Sequence, residues 1–125
     1  MKEIISTTNA PKAIGPYSQG IKIENLVFTS GQLPIDPATG EMECKDVKKA
    51  TKLSMQNIEA ILKEKNSSLD KIIKTTIFVK DISMFNDINE AYGEFFKENP
   101  PARSCIEVSK LPKDALVEIE AIAHV

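Results

Sequence analysis

Residues 70–81 read DKIIKTTIFVKD, and the reading of this run decides the fold. It is rich in β-branched and aromatic residues, which favour a strand. Alternation puts Ile73, Thr75, Ile77 and Val79 on one face and Ile72, Thr76 and Phe78 on the other. Both faces are partly apolar, so the strand is expected inside a sheet, covered on both sides.

On either side of this strand the apolar spacing changes to three and four. Upstream, Asp46 is the expected N-cap of a helix running to about Asn66. Val47, Ala50, Leu53, Ser54, Ile58, Ile61 and Leu62 form its buried stripe. Downstream, Ser83 is the expected cap of a second helix over 84–97, whose buried face carries Met84, Phe85, Ile88, Ala91, Tyr92, Phe95 and Phe96. Asn99-Pro100-Pro101 stops it. Near the start, NAPKAIGP (9–16) reads as a loop, 18–23 and 26–31 as strands turning at Glu24-Asn25, and DPATGE (36–41) as a tight turn. Near the end, strands over 103–109 and 115–123 are joined by KLPKD, a connection short enough to suggest antiparallel neighbours. The sum is an α+β sandwich with both helices on one face of one sheet. The other face then needs cover, which for a small chain points to oligomerisation.

Bulk properties narrow the function. The 125 residues suit one domain, 1–125. A net charge of −2 disfavours a nucleic-acid partner. Cys44 and Cys105 are far apart, and with one histidine they make no standard metal site. The opening MKEIISTTNAP lacks the apolar core of a signal peptide and no run is long enough to cross a membrane, so a reduced, cytoplasmic setting is expected.

Arg103 is the only arginine, set in PPARSCIEV (100–108); every other basic residue is lysine or His124. A guanidinium matches a carboxylate with two parallel hydrogen bonds, which an ammonium does not. If the last two strands pair, Arg103, Cys105, Glu118 and Glu120 are expected on the side away from the helices. Two glutamates near one arginine leave a carboxylate spare for general-base work. The plainer alternative is an internal Arg–Glu ion pair, and the choice between Glu118 and Glu120 stays open. Tyr17, in a loop bounded by proline and glycine, suits a lid, and Gly31 a backbone N–H open to a ligand.

The motifs IGPYSQG (14–20), FTSGQLPIDPATGE (28–41), KTTIFVKD (74–81), NPPARSCIEV (99–108) and LPKDALVEIEAIA (111–123) together resemble the RidA/YjgF family of imine deaminases along essentially the whole chain. The resemblance implies a chorismate-mutase-like fold: a mixed six-stranded sheet with two helices on one face, assembled as a homotrimeric barrel with three clefts between subunits. It implies hydrolysis of reactive enamine and imine acids (2-aminoacrylate, 2-iminopropanoate, 2-iminobutanoate) from pyridoxal-phosphate-dependent dehydratases to 2-keto acids and ammonia, with no cofactor of its own. A non-catalytic regulatory protein binding small keto or amino acids is the alternative. Carried over by motif, Arg103 grips the substrate carboxylate and Glu118 holds the attacking water. Cys105 offers its backbone to the nitrogen end, Tyr17 closes the cleft, Ser30 and Gly31 line it, and Asn89 is a looser substrate contact.

Overall fold

The computed structural model describes residues Met1 to Val125. The run that opens the reading above forms a shorter strand than twelve residues. Ile72–Val79 pairs on both sides, and the residues just before it, Leu69–Lys71, make a 3-10 turn. In chain order the strands are β1 (Glu3–Ile5), β2 (Gly20–Ile23), β3 (Leu26–Thr29), β4 (Ile72–Val79), β5 (Ala102–Glu107) and β6 (Val117–His124), with helices α1 (Val47–Lys63) and α2 (Phe85–Gly93). They form one mixed sheet in the order β1-β2-β3-β6-β4-β5, with β4 and β5 parallel and every other pair antiparallel.

Three sequence expectations change. First, a bulge between Ile72 and Lys74 breaks the alternation of β4. Ile72 joins Thr75, Ile77 and Val79 on the buried face, and Ile73 is exposed. Second, Ser83 caps nothing. The Asp81 carboxylate instead accepts from the Ser83 N–H at 2.8 Å, starting a 3-10 turn that runs into α2. The helix stops at Gly93, four residues early, and its last N–H bonds shorten into tighter turns through Phe95 and Phe96. Third, β5 and β6 are not neighbours: β4 lies between them. β4, α2 and β5 form a β-α-β crossover, the usual way to make strands parallel. KLPKD therefore carries the chain across a strand instead of turning a hairpin. Its 3-10 turn at Pro112–Asp114 puts Lys113 and Asp114 at φ +57° and +58°.

Other expectations hold. The Asp46 carboxylate accepts from Lys48 N–H at 2.9 Å and Lys49 N–H at 3.2 Å, capping α1. Past its end Asn66 turns left-handed at φ +60°, and the Ser67 N–H donates to the Leu62 carbonyl at 3.0 Å. α1 covers β6 and β3, with α2 beside it. Ile58, Ile61 and Leu62 meet Val27, Ile77, Val117 and Ile119 in a closed core. Each such side chain contributes about 1.5–3 kcal/mol by leaving water.

The face away from the helices has no cover within the chain. Ile4, Ile23, Leu26, Phe28 and Ile106 lie 37% to 63% exposed there. Within the chain β4 is thus covered on its helix side only, and the other side is left to the oligomerisation expected above. No helix is long and apolar enough to cross a membrane.

Candidate active site

The strand order decides which candidate residues meet. Arg103 pairs with Thr75 and Cys105 with Ile77, so both point to the helix face. Glu118 pairs with Phe78 and Glu120 with Thr76, so both point to the open face. The expectation that all four share one side fails, because it rested on β5 pairing with β6. Between Arg103 and Glu118 stand two strand spacings, about 10 Å, and the thickness of the sheet. Within one chain the candidates form two separate groups.

The first group surrounds Arg103. Its Nη1 donates to the Asn89 Oδ1 at 2.7 Å. Its guanidinium carbon lies 5.4 Å from the Phe85 ring centre and 5.2 Å from that of Tyr92. Phe85, Asn89 and Tyr92 are spaced by four and three, so one stripe of α2 makes all three contacts. Tyr92 is fixed in turn by a buried 2.7 Å hydrogen bond between its hydroxyl and that of Thr75. Burial raises the Tyr92 phenol above its ordinary value, against the pull of Thr75 and the Arg103 charge, so it stays a neutral ring. No carboxylate pairs with Arg103; every ion pair in the chain uses a lysine. The internal Arg–Glu pair is therefore absent. Burial also raises the Cys105 thiol, and the Arg103 charge only partly opposes this, so Cys105 makes a poor nucleophile.

The second group lines a cavity of about 720 Å3 containing Tyr17, Ser30, Gly31, Lys113, Glu118 and Glu120. Glu118 is half-buried, and its carboxyl is raised above the ordinary 4.5, first by burial and then by the neighbouring Glu120 charge. Glu120 is exposed. That difference separates the two glutamates, which spacing left level: of the pair, Glu118 has the environment that makes a carboxyl hold a proton more readily. Gly31 makes room for it: a Cβ there would lie 2.8 Å from the Glu118 Cδ and 3.0 Å from its Cγ. The Gly31 N–H has no partner in the chain. Ser30 is occupied structurally, its hydroxyl donating to the Ser18 carbonyl at 2.6 Å and its N–H to the Gln19 carbonyl at 2.8 Å.

Tyr17 hangs over the cavity 51% exposed, its hydroxyl accepting from the Ile14 N–H at 3.2 Å. The loop that carries it is tied down by buried Gln19, which accepts from the Thr7 N–H and donates to the carbonyls of Thr7, Ala10 and Pro11. Gln19 was missed by sequence reasoning. It lies just ahead of β2, where strand alternation would turn it to the open face with Ile21 and Ile23, so no periodicity in IGPYSQG announced its burial. Phe85, Tyr92 and Thr75 were missed for another reason: their spacing is that of ordinary core. The His124 ring meets only the Val125 carbonyl, and no acid, histidine and cysteine cluster suits a metal.

A family model described as Endoribonuclease L-PSP matches residues 7–125. The chain belongs to this family, the RidA/YjgF family. This RidA/YjgF chain is 54% identical to a RutC family protein of Pyrococcus horikoshii, over 99% of this chain and 98% of that relative. It is 49% identical to the Escherichia coli protein named "Putative reactive intermediate deaminase TdcF", covering 98% and 97%. The solved structure of E. coli TdcF with bound serine matches at TM-score 0.94 and 47% identity, over 98% of each chain. The Rid family protein YyfA of Yersinia pestis matches at TM-score 0.97 and 48% identity, over all of both chains. The α+β fold with a six-stranded mixed sheet and two helices is thus that of solved RidA/YjgF proteins.

Proposed function

We propose that this chain hydrolyses 2-iminopropanoate and 2-iminobutanoate, formed from the enamine products of pyridoxal-phosphate-dependent dehydratases, to 2-keto acids and ammonia. The observation that carries this reading is an arginine with no carboxylate partner, held ready by uncharged groups. Its counterpart is a half-buried glutamate with a raised pKa beside an open cavity. The name of the E. coli relative supports the same chemistry.

The two groups act together only if two copies bring them together. The open apolar face supports such an assembly, and a homotrimer with the faces turned inward supplies three equivalent clefts. β5 is an edge strand, so one row of its backbone groups, at Arg103 to Cys105, is free to meet a ligand. In each cleft Arg103 of one copy grips the substrate carboxylate, and Cys105 offers its backbone to the imine nitrogen. The neighbour supplies Glu118, with Tyr17 as cover and the Gly31 N–H as a donor to the developing C2 oxygen. Asn89 acts behind Arg103.

Glu118 takes a proton from water as the water oxygen bonds to C2 and the C=N π pair moves onto nitrogen. The tetrahedral carbinolamine forms. Glu118 returns that proton to nitrogen, then takes the C2 hydroxyl proton and delivers it to the amino nitrogen as the C–N bond breaks, so that ammonia leaves and the C2 oxygen becomes the keto oxygen. A raised glutamate suits this exchange because its carboxyl holds a proton more readily than an exposed one and can still give it back. Free imines hydrolyse unaided, so positioning and one base, worth roughly 10²–10⁴-fold, suffice.

The test is a dehydratase-coupled assay that follows imine loss against the spontaneous rate, with the assembly's mass measured in solution. Accelerated loss by a particle of three 13.8 kDa chains is expected; a spontaneous rate at saturating protein would overturn the reading. A second reading, a sensor of small amino or keto acids without turnover, draws on the serine bound to E. coli TdcF. It predicts binding without acceleration in the same assay. A nuclease, as the family description has it, fits the net charge of −2 poorly.

A further inference from the structure

We infer that Asn89 sets the ligand affinity of this site because its side chain is an amide and not a carboxylate. It orients the Arg103 guanidinium through one hydrogen bond and leaves the charge for the incoming acid. The inference rests on the reading of Arg103 as the carboxylate grip.

Every contact α2 makes to Arg103 is uncharged: the Asn89 Oδ1 at 2.7 Å and the rings of Phe85 and Tyr92. Yet the helix is acidic. Asp87 and Glu90 flank Asn89, and Glu94 follows in the next turn. All three are held elsewhere, by lysines of α1. The Lys48 ammonium lies 2.9 Å from Glu90 and 4.0 Å from Asp87, and that of Lys52 3.2 Å from Glu94. The acids of α2 thus face α1, and the one polar side chain it gives to Arg103 is neutral.

An aspartate at 89 has almost the same shape. It would replace a neutral acceptor with a charged one and fill the guanidinium from inside the chain. Hydrogen bonds with both partners ionised are the stronger class, so a ligand carboxylate would have to displace a better partner than the one it meets now. Asn89 is therefore a positioning residue whose neutrality matters as much as its reach.

The experiment measures 2-oxobutanoate affinity, imine KM and kcat, and melting temperature for Asn89→Asp, Asn89→Ala and Arg103→Lys. Asn89→Asp is expected to melt no lower than the parent while losing about tenfold or more in affinity and KM, with kcat little changed. Asn89→Ala, which loses orientation but adds no competitor, is expected to lose less. Parent-like affinity in Asn89→Asp, a loss no larger than that of Asn89→Ala, or failure to fold would each overturn the inference. Arg103→Lys separates the two levels. If it loses binding while Asn89→Asp keeps it, only the inference falls. If it binds like the parent, the carboxylate grip falls and the inference with it.

Discussion

Arg103 and Glu118 are prepared in opposite ways. The guanidinium is held by contact, with two rings against it and an amide at its edge, all from one stripe of α2. The carboxyl is held by room, lying where residue 31 has no side chain. Contact fixes a cation without neutralising it, provided the contacts are uncharged. Space lets a carboxylate sit half out of water, which raises its affinity for a proton. Ligand binding should therefore be sensitive to groups added around Arg103, and catalysis to atoms added around Glu118.

The sharpest break in this contrast is Glu118→Gln. Turnover is expected to fall roughly 10²–10⁴-fold while 2-oxobutanoate still binds; if Glu120→Gln is instead the crippled variant, the base is the other glutamate. Next comes Arg103→Lys, which keeps the charge and loses the fork. Affinity should drop by about 2–5 kcal/mol, read as a rise in KM. Mixing these two inactive chains sharpens the comparison. If one copy gives the arginine and its neighbour the glutamate, random mixed assemblies regain about a quarter of the parent activity. If both come from one copy, nothing returns.

A smaller effect is expected from Gly31→Ala. The new methyl would displace the Glu118 carboxyl, lowering kcat by roughly 10–10²-fold with affinity for 2-oxobutanoate retained. The smallest effect is on stability. The Glu118 carboxyl is raised in the fold, so its contribution is fully present below about pH 4.5 and is lost as pH rises through the folded value. Glu118→Gln should therefore melt slightly higher than the parent at pH 7, with the advantage vanishing in acid. A lower melting temperature at pH 7 would contradict the raised pKa.

Local patterns carried much of this into the sequence. Asp46 announced α1, the Glu24-Asn25 turn announced a hairpin, and alternation correctly put Glu118 with Glu120 and Arg103 with Cys105. What alternation does not carry is which strand lies beside which. KLPKD has the length of a hairpin loop, and nothing within it reveals that β4 passes between the strands it joins. That single misplacement put the arginine and the glutamates on one face. β1 was illegible as a strand from alternation because three residues show no period. The cradle of Arg103 was illegible because Phe85 and Tyr92 are also the residues a buried stripe needs, and only the neighbouring β5 turns that stripe into a site.

The sheet that separates Arg103 from Glu118 also insulates them. A newly made chain cannot quench its own cation with its own base, since no side-chain motion carries either group through a hydrogen-bonded layer. In the proposed reaction a lone copy would therefore be inert. Specific activity in the proposed reaction then follows dilution, falling away once the concentration drops below that at which copies dissociate.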